Sequence, residues 1–264
     1  MNASVPTEQM AAEAMEFITR HEPPDGYIVA FSGGKDSIVT LHLARLSGVR
    51  IQEVSYSATG IDPPEVVQFI RTHYPEAKWH RPTKSYWQLV RENGPPSRMA
   101  RWCCRILKES THRNSTLLLG IRAEESYKRR QRPRLDYNAR RRNTLVKPIF
   151  HWKEWHVWDF IETHNLPYPR LYDEGFSRIG CCICPFLCSP NQTALDIRRK
   201  RWPKMYKAFE HAVKAWWAQH REGVPAPEKI TLSGRVWYNT LDEYMDAWYR
   251  GFPNTRPSTA KEGG

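Results

Sequence analysis

Apolar side chains recur at two spacings along this chain, and the switches between them mark its elements. Residues 8 to 20 place Met10, Ala14, Phe17 and Ile18 at helical spacing, and Pro23-Pro24-Asp25-Gly26 ends the pattern before an apolar run. This predicts helix, turn and then a short buried strand over Tyr27 to Phe31. A Ser-Gly-Gly turn follows, and Ser37 to Leu46 return to the helical period until Ser47-Gly48 stops it. Val49 to Ser57 predict a second strand, residues 63 to 74 a helix, Thr116 to Ile121 another buried strand, and Trp152 to His164 a Trp-rich helix ending near Pro167. Strands alternating with helices imply an α/β fold with a doubly wound parallel sheet.

From Asp196 to His220 the residues Trp202, Met205, Phe209, Val213 and Trp216 recur every three or four positions, which predicts one long helix packing an aromatic stripe against a core. Residues 224 to 231 read as a linker, 236 to 252 as a final helix or helix-like aromatic segment, and the polar tail from Pro253 as frayed. The expected division is a catalytic domain over 1–190 and a helical C-terminal extension over 191–264. With 264 residues and 40% apolar content, one substantial core is affordable. The first thirty residues carry acidic side chains and no unbroken apolar run, so neither a signal peptide nor a membrane helix is expected, and the predicted location is cytoplasmic with no membrane partner.

Charge changes the picture. Forty Lys and Arg against 28 Asp and Glu leave +12, a balance that favours partners rich in phosphate. Between Lys128 and Arg142 stand eight basic residues and one acidic one, a net +7. Two readings are open for that run: a solvated loop, or a nucleic-acid surface in which Arg129, Arg130, Arg132, Arg134, Arg140, Arg141 and Arg142 meet backbone phosphates and Tyr137 stacks on bases. The six cysteines fall in two tight groups, Cys103-Cys104 and Cys181 to Cys188, a clustering that suits a metal site in a reducing compartment better than a disulfide framework.

Ser32-Gly33-Gly34-Lys35-Asp36-Ser37 joins the first strand to the next helix. Such a turn presents backbone N–H groups and a helix N-terminus to phosphate oxygens. Gly33 and Gly34 permit close backbone approach, Ser32 and Ser37 add hydroxyls, and Lys35 neutralises a departing pyrophosphate. Two roles are open to Asp36, capping the helix or holding Mg²⁺. The segment resembles the signature of the adenine nucleotide α-hydrolase, or PP-loop, superfamily, and it lacks the spacing of a Walker A loop. The resemblance implies ATP cleavage between the α- and β-phosphates, and makes Lys35, Asp36 and Arg122 the expected catalytic residues.

Further stretches resemble the sulfonucleotide reductases of that superfamily. Thr59-Gly60 matches their Asp-Thr-Gly except that Ala58 replaces the Asp, and Gly120-Ile121-Arg122, Glu125-Ser126 and Arg129 match an element that supplies cations near the nucleotide. Lys147-Pro148-Ile149, Trp155 to Tyr168 and Ile179-Gly180-Cys181 extend the likeness, which runs from about residue 25 to 188. Cys103-Cys104, 76 intervening residues and then Cys181-x-x-Cys184 are similar to the arrangement that binds a [4Fe-4S] cluster in adenylylsulfate reductases. Zinc and buried unliganded thiols are the other readings, although adjacent cysteines suit one tetrahedral ion poorly. Cys182 and Cys188 are surplus and read as replacement ligands, persulfide carriers or small buried hydrophobes.

No cysteine follows Cys188, whereas the reductases resemble one another in a catalytic cysteine near the C-terminus. Together these features resemble the ATP pyrophosphatases of DNA phosphorothioation systems. That likeness implies ATP, Mg²⁺ and a [4Fe-4S] cluster as cofactors, DNA as the favoured nucleic acid, and a cysteine desulfurase and other modification-system subunits as partners. A sulfonucleotide reductase and a tRNA-thiolating PP-loop enzyme are the alternatives.

Overall fold

The computed structural model describes residues 5–188, 193–224 and 238–252. In chain order its elements are α1 (Thr7–Arg20), β1 (Tyr27–Ala30), α2 (Lys35–Leu46), β2 (Ile51–Ser57), α3 (Pro64–His73), β3 (Lys78–His80), α4 (Tyr86–Asn93) and α5 (Trp102–Leu107). Then follow β4 (Thr116–Leu119), α6 (Tyr127–Arg130), β5 (Leu135–Asn138), β6 (Asn143–Val146), α7 (Glu154–Thr163), α8 (Thr193–Arg201), α9 (Pro203–His220) and α10 (Leu241–Arg250).

The described residues fold as two compact units, one within 1–82 and 106–180, the other within 83–105 and 181–264. This differs from a single cut after residue 190. The apolar faces of α4 and α9 pack on one another, so a stretch from the middle of the chain shares its core with the C-terminal helices.

The first unit is built on a six-stranded sheet of order β3-β2-β1-β4-β6-β5. Five strands run parallel, as the alternation of strands and helices predicts, and β5 pairs antiparallel to β6 at the edge. The central strand β1 is the apolar run Tyr-Ile-Val-Ala, because helices cover both faces of a parallel sheet. Val29, Leu118 and Val146 on the strands and Ile38, Leu41 and Leu43 on α2 are fully buried, each contributing about 1.5–3 kcal/mol by leaving water.

The second unit has its own core in Tyr86, Val90, Phe209, Val213, Trp217 and Trp248. Ser85 caps α4: its Oγ accepts from the Gln88 N–H at 3.2 Å while Gln88 Oε1 accepts from the Ser85 N–H at 2.8 Å. The predicted long helix from 196 to 220 is two helices, since Pro203 has no N–H to continue α8 and instead begins α9 as a first-turn proline. The aromatic stripe does face a core, with Phe209 and Val213 completely buried. The expected linker beyond 224, the first two residues of the predicted final segment and the tail from Pro253 lie outside the described residues.

Candidate functional site

The Ser32–Ser37 loop leaves the C-terminal end of β1 and runs into α2. Gly33 has φ +71°, and a Cβ there would stand 2.8 Å from the Ile70 side chain, so the turn needs glycine twice over. Ser37 closes it: its Oγ donates to the Gly34 carbonyl at 2.8 Å and accepts from the Ser32 N–H at 3.2 Å, with Ser32 Oγ also 3.2 Å away. Gly120 follows β4, and a Cβ on it would meet the Asp36 carbonyl oxygen at 2.6 Å. That close approach brings the next residues of the chain onto the loop.

Arg122 is the result. Its Nε donates to Asp36 Oδ1 at 2.5 Å and its Nη1 to Glu124 at 2.8 Å, and it is only 4% exposed. Burial pulls the guanidinium pKa down, but Asp36, Glu125 and Glu124 more than restore it, so the cation is secure. Glu125 accepts from the Arg122 N–H at 3.0 Å and pairs with Arg129. The Ser126 hydroxyl accepts from the Arg129 N–H at 3.2 Å and caps α6. Gly120, Arg122, Glu125, Ser126 and Arg129 therefore form one connected element that reaches the loop through Asp36. Thr59 and Gly60 leave the same sheet edge after β2, where the Thr59 N–H donates to Asp62 at 2.8 Å and Gly60 takes φ +78° in open space.

Lys35 is 4% exposed. Its ammonium donates to the Ser177 carbonyl at 3.0 Å, pairs with Glu154 at 3.2 Å, and stands 5.0 Å from the Tyr172 ring centroid. The Tyr172 hydroxyl accepts from the Lys35 N–H at 3.0 Å, an oxygen where a phosphate oxygen would be expected on a loop of this kind. Burial pushes that hydroxyl far above its ordinary pKa, and it remains neutral. Glu154 and Tyr172 belong to the site, and the sequence reading missed both. They lie more than a hundred residues from Lys35, and no local pattern marks them.

Asp36 offers no ready magnesium site as placed, because Oδ1 accepts from Arg122 and Oδ2 lies 4.0 Å from the Lys35 ammonium. Neither expected role is seen in this state: the carboxylate is an ion-pair partner of Arg122 on the first turn of α2, and its side chain makes no capping bond.

The basic segment forms α6 and the β5–β6 hairpin. Arg130, Arg132, Arg140 and Arg142 are exposed, as is Tyr137. Arg134 is not available to a phosphate: it pairs with Glu13, lies 3.8 Å from the Phe17 ring centroid, and donates to the Lys147 and Pro148 carbonyls. Arg141 is half-buried, with Nη1 3.4 Å from the Ser110 carbonyl.

In the second unit the six cysteines remain thiols and divide by burial. Cys103, Cys104, Cys181 and Cys184 are half-buried, whereas Cys182 and Cys188 are buried. Side chains hold the backbone that carries the later group: Arg98 donates to the Cys188 carbonyl at 2.5 Å, Arg198 to that of Cys181 at 3.3 Å and Tyr206 to that of Cys182 at 2.8 Å. A hydrogen bond to Cys104, burial, and the charges of Cys104, Cys181 and Cys184 all drive the Cys103 thiol pKa upward. Those neighbours hold Cys103 as the neutral thiol. Burial also pushes Cys188 to about 12, which fits a packed thiol. The Tyr86 hydroxyl, which responds to the charges of Cys103, Cys181, Cys184 and Cys188, is buried with no hydrogen-bond partner. Four thiol donors and an orphaned hydroxyl beside them fit a group that brings both metal and acceptor sulfur, so the set is compatible with an iron–sulfur cluster.

A mostly parallel sheet with a Ser-Gly-Gly loop at its C-terminal edge, backed by a buried Arg122 paired to Asp36, defines a PP-loop, adenine nucleotide α-hydrolase fold. Residues 26–187 match the phosphoadenosine phosphosulfate reductase domain, and the chain belongs to that family. An uncharacterised protein of Methanocaldococcus jannaschii is 32% identical over 214 residues, covering 74% of this chain and 43% of its own length. An adenosine 5′-phosphosulfate reductase of Anoxybacillus flavithermus is 27% identical over 196 residues, 69% of this chain and 81% of that protein. The chain thus spans less than half of the archaeal relative. Among solved structures, phosphoadenylyl-sulfate reductase from Candida auris in a phosphate complex superposes with TM-score 0.50 at 15% identity, covering 69% of this chain and 98% of that one, a likeness of fold. Among the described residues no helix is long and apolar enough to cross a membrane.

Proposed function

We propose that this protein cleaves ATP to AMP and pyrophosphate and uses the AMP to activate a backbone phosphate of DNA for replacement of oxygen by sulfur. The observation that carries this reading is the exposed basic segment from α6 through the β5–β6 turn, with Arg130, Arg132, Arg140 and Arg142 in the same unit as the Ser32–Ser37 loop. A small sulfonucleotide does not require that much free positive charge, whereas a polyanion does.

A non-bridging oxygen of the DNA phosphate attacks the α-phosphorus of ATP, the bond to the β-phosphate breaks, and pyrophosphate leaves. Sulfide then attacks the activated DNA phosphorus and AMP departs with the former DNA oxygen; where a persulfide attacks instead, a thiol cleaves the resulting S–S bond and leaves as part of a disulfide. The loop amides, Lys35 and Arg122 stabilise the charge that develops, and both buried cations are already held in place by carboxylate partners, Glu154 and Asp36. Nucleotide binding displaces the Tyr172 hydroxyl from the Lys35 N–H. Mg²⁺ is the expected companion of ATP here, and Asp36 would join in holding it only after exchanging Arg122 or Lys35. Cys103, Cys104, Cys181 and Cys184 would hold a [4Fe-4S] cluster, whose chemistry here is sulfur or electron transfer, and a cysteine desulfurase is the expected sulfur source.

The test is to incubate anaerobic protein with ATP, DNA and sulfide, then digest the DNA and search the nucleotides by mass spectrometry for a phosphorothioate linkage. Thioredoxin-dependent sulfite release from adenylylsulfate, with unmodified DNA, would favour the second reading, a sulfonucleotide reductase. The family match and the named reductase relatives support that alternative.

A further inference from the structure

Alternation along β2 puts Glu53, Ser55 and Ser57 on one face, and His80 ends β3 in register with Ser57. The segment leading to β4 crosses that face. Ser57 Oγ lies 3.3 Å from Thr111 Oγ1, and His112 Nε2 lies 2.7 Å from Ser55 Oγ. The consequence is a convergence of donor atoms well outside the Ser32–Ser37 loop: Glu53 Oε1 stands 2.5 Å from His80 Nε2 and 3.4 Å from His112 Nε2. All three atoms lie within 4.8 Å of one another.

We propose that Glu53, His80 and His112 form a binding site for a divalent cation of the zinc class, which clamps the segment before β4 to the sheet. Two imidazole nitrogens and one carboxylate oxygen are a borderline donor set that suits zinc and disfavours magnesium or calcium. Ligands about 2.0–2.1 Å from a tetrahedral zinc stand roughly 3.3 Å apart, so the Glu53–His112 spacing already matches and His80 must open by under about 1 Å. The three side chains are 14–24% exposed, enough for an ion to enter. Lys78 does not block it. Its ammonium takes the other carboxylate oxygen, Oε2, at 3.1 Å, and its side chain is 67% exposed and free to swing away. The Ser55 hydroxyl, 2.7 Å from His112 Nε2, holds that nitrogen beside Glu53 and must release it when the ion binds. The clamp adds to the fastening that Asn143 gives by donating to the His112 carbonyl at 3.1 Å.

Cobalt titration of the anaerobic protein separates this site from the cysteines, because nitrogen and oxygen ligands give d–d bands without thiolate-to-cobalt charge transfer. Subtracting the spectrum of Glu53→Gln or of His112→Asn from that of the wild-type protein should leave such bands alone, and Zn²⁺ should abolish them. Each variant should weaken binding at that site by more than about tenfold, the least that losing even an outer partner costs. Glu53→Gln keeps the side-chain shape, so its result stands if His112→Asn misfolds. Identical cobalt spectra and stoichiometry in wild type and Glu53→Gln would overturn the proposal, as would a difference spectrum dominated by thiolate bands.

Discussion

The Ser32–Ser37 loop and the cysteine set solve opposite problems. Around the loop every charge has a partner: Lys35 has Glu154, and Arg122 has Asp36 and Glu124. Around the cysteines the Tyr86 hydroxyl has none, and the Cys103 thiol is costly to ionise. The first region is paired without a ligand and must exchange partners to take one, whereas the second keeps a buried hydroxyl without a hydrogen-bond partner and is compatible with a bound iron–sulfur group. A nucleotide that comes and goes suits the one, and a resident group suits the other.

The contrast can be broken at either end. Cys104→Ser and Cys181→Ser should each abolish the bound iron and the brown colour of anaerobic protein, while iron and absorbance retained at wild-type levels would remove these residues from the ligand set. Arg122→Ala should cut AMP formation by about 10²–10³-fold, the scale for losing one charge-stabilising donor. It should also destabilise the fold by about 1–3 kcal/mol by removing the closest partner of Asp36, with chemical denaturation as the check. Changing Arg130, Arg140 and Arg142 together to Ala should reduce the slope of log K for duplex DNA against log salt by up to about 2.7. An unchanged slope returns the hairpin to an ordinary solvated loop.

Smaller effects sharpen the contrast further. If the unpartnered Tyr86 hydroxyl donates to the bound group, Tyr86→Phe should retain iron but make the group harder to reduce, and spectroelectrochemistry reads the shift; an unchanged potential would remove Tyr86 from that role. Asp136→Asn should cost about 1–2 kcal/mol at neutral pH, because Lys147 then keeps only its bond to the Pro133 carbonyl at 2.7 Å. Burial raises the Asp136 pKa, but the hydrogen bond and charge of Lys147 outweigh it and leave the carboxyl below its ordinary value. The stability is therefore present above the unfolded-state pKa and is lost as pH falls through the folded one, so variant and wild type should converge in acid.

Much of the fold was legible because the elements nearest the loop obey their own periods: β1 is an unbroken apolar run and α2 follows a glycine turn. The β5–β6 hairpin was hidden because its residues are selected for charge and exposure, leaving no alternation to read; β3, with three residues, is too short for one. The start of α4 carried a readable signal in Ser85 and Gln88, a capping box three residues apart. Pro203 likewise marked the break in the long C-terminal pattern. Within the site, the loop and the Gly120–Arg129 element were visible as motifs. Glu154 and Tyr172 were not, since only the sheet topology brings them to Lys35.

The most direct test is to resolve the products of ATP incubated with anaerobic protein, with and without DNA. AMP and pyrophosphate, formed faster when DNA is present, are the predicted result. ADP and phosphate, or no ATP turnover while adenylylsulfate yields sulfite, would contradict the account.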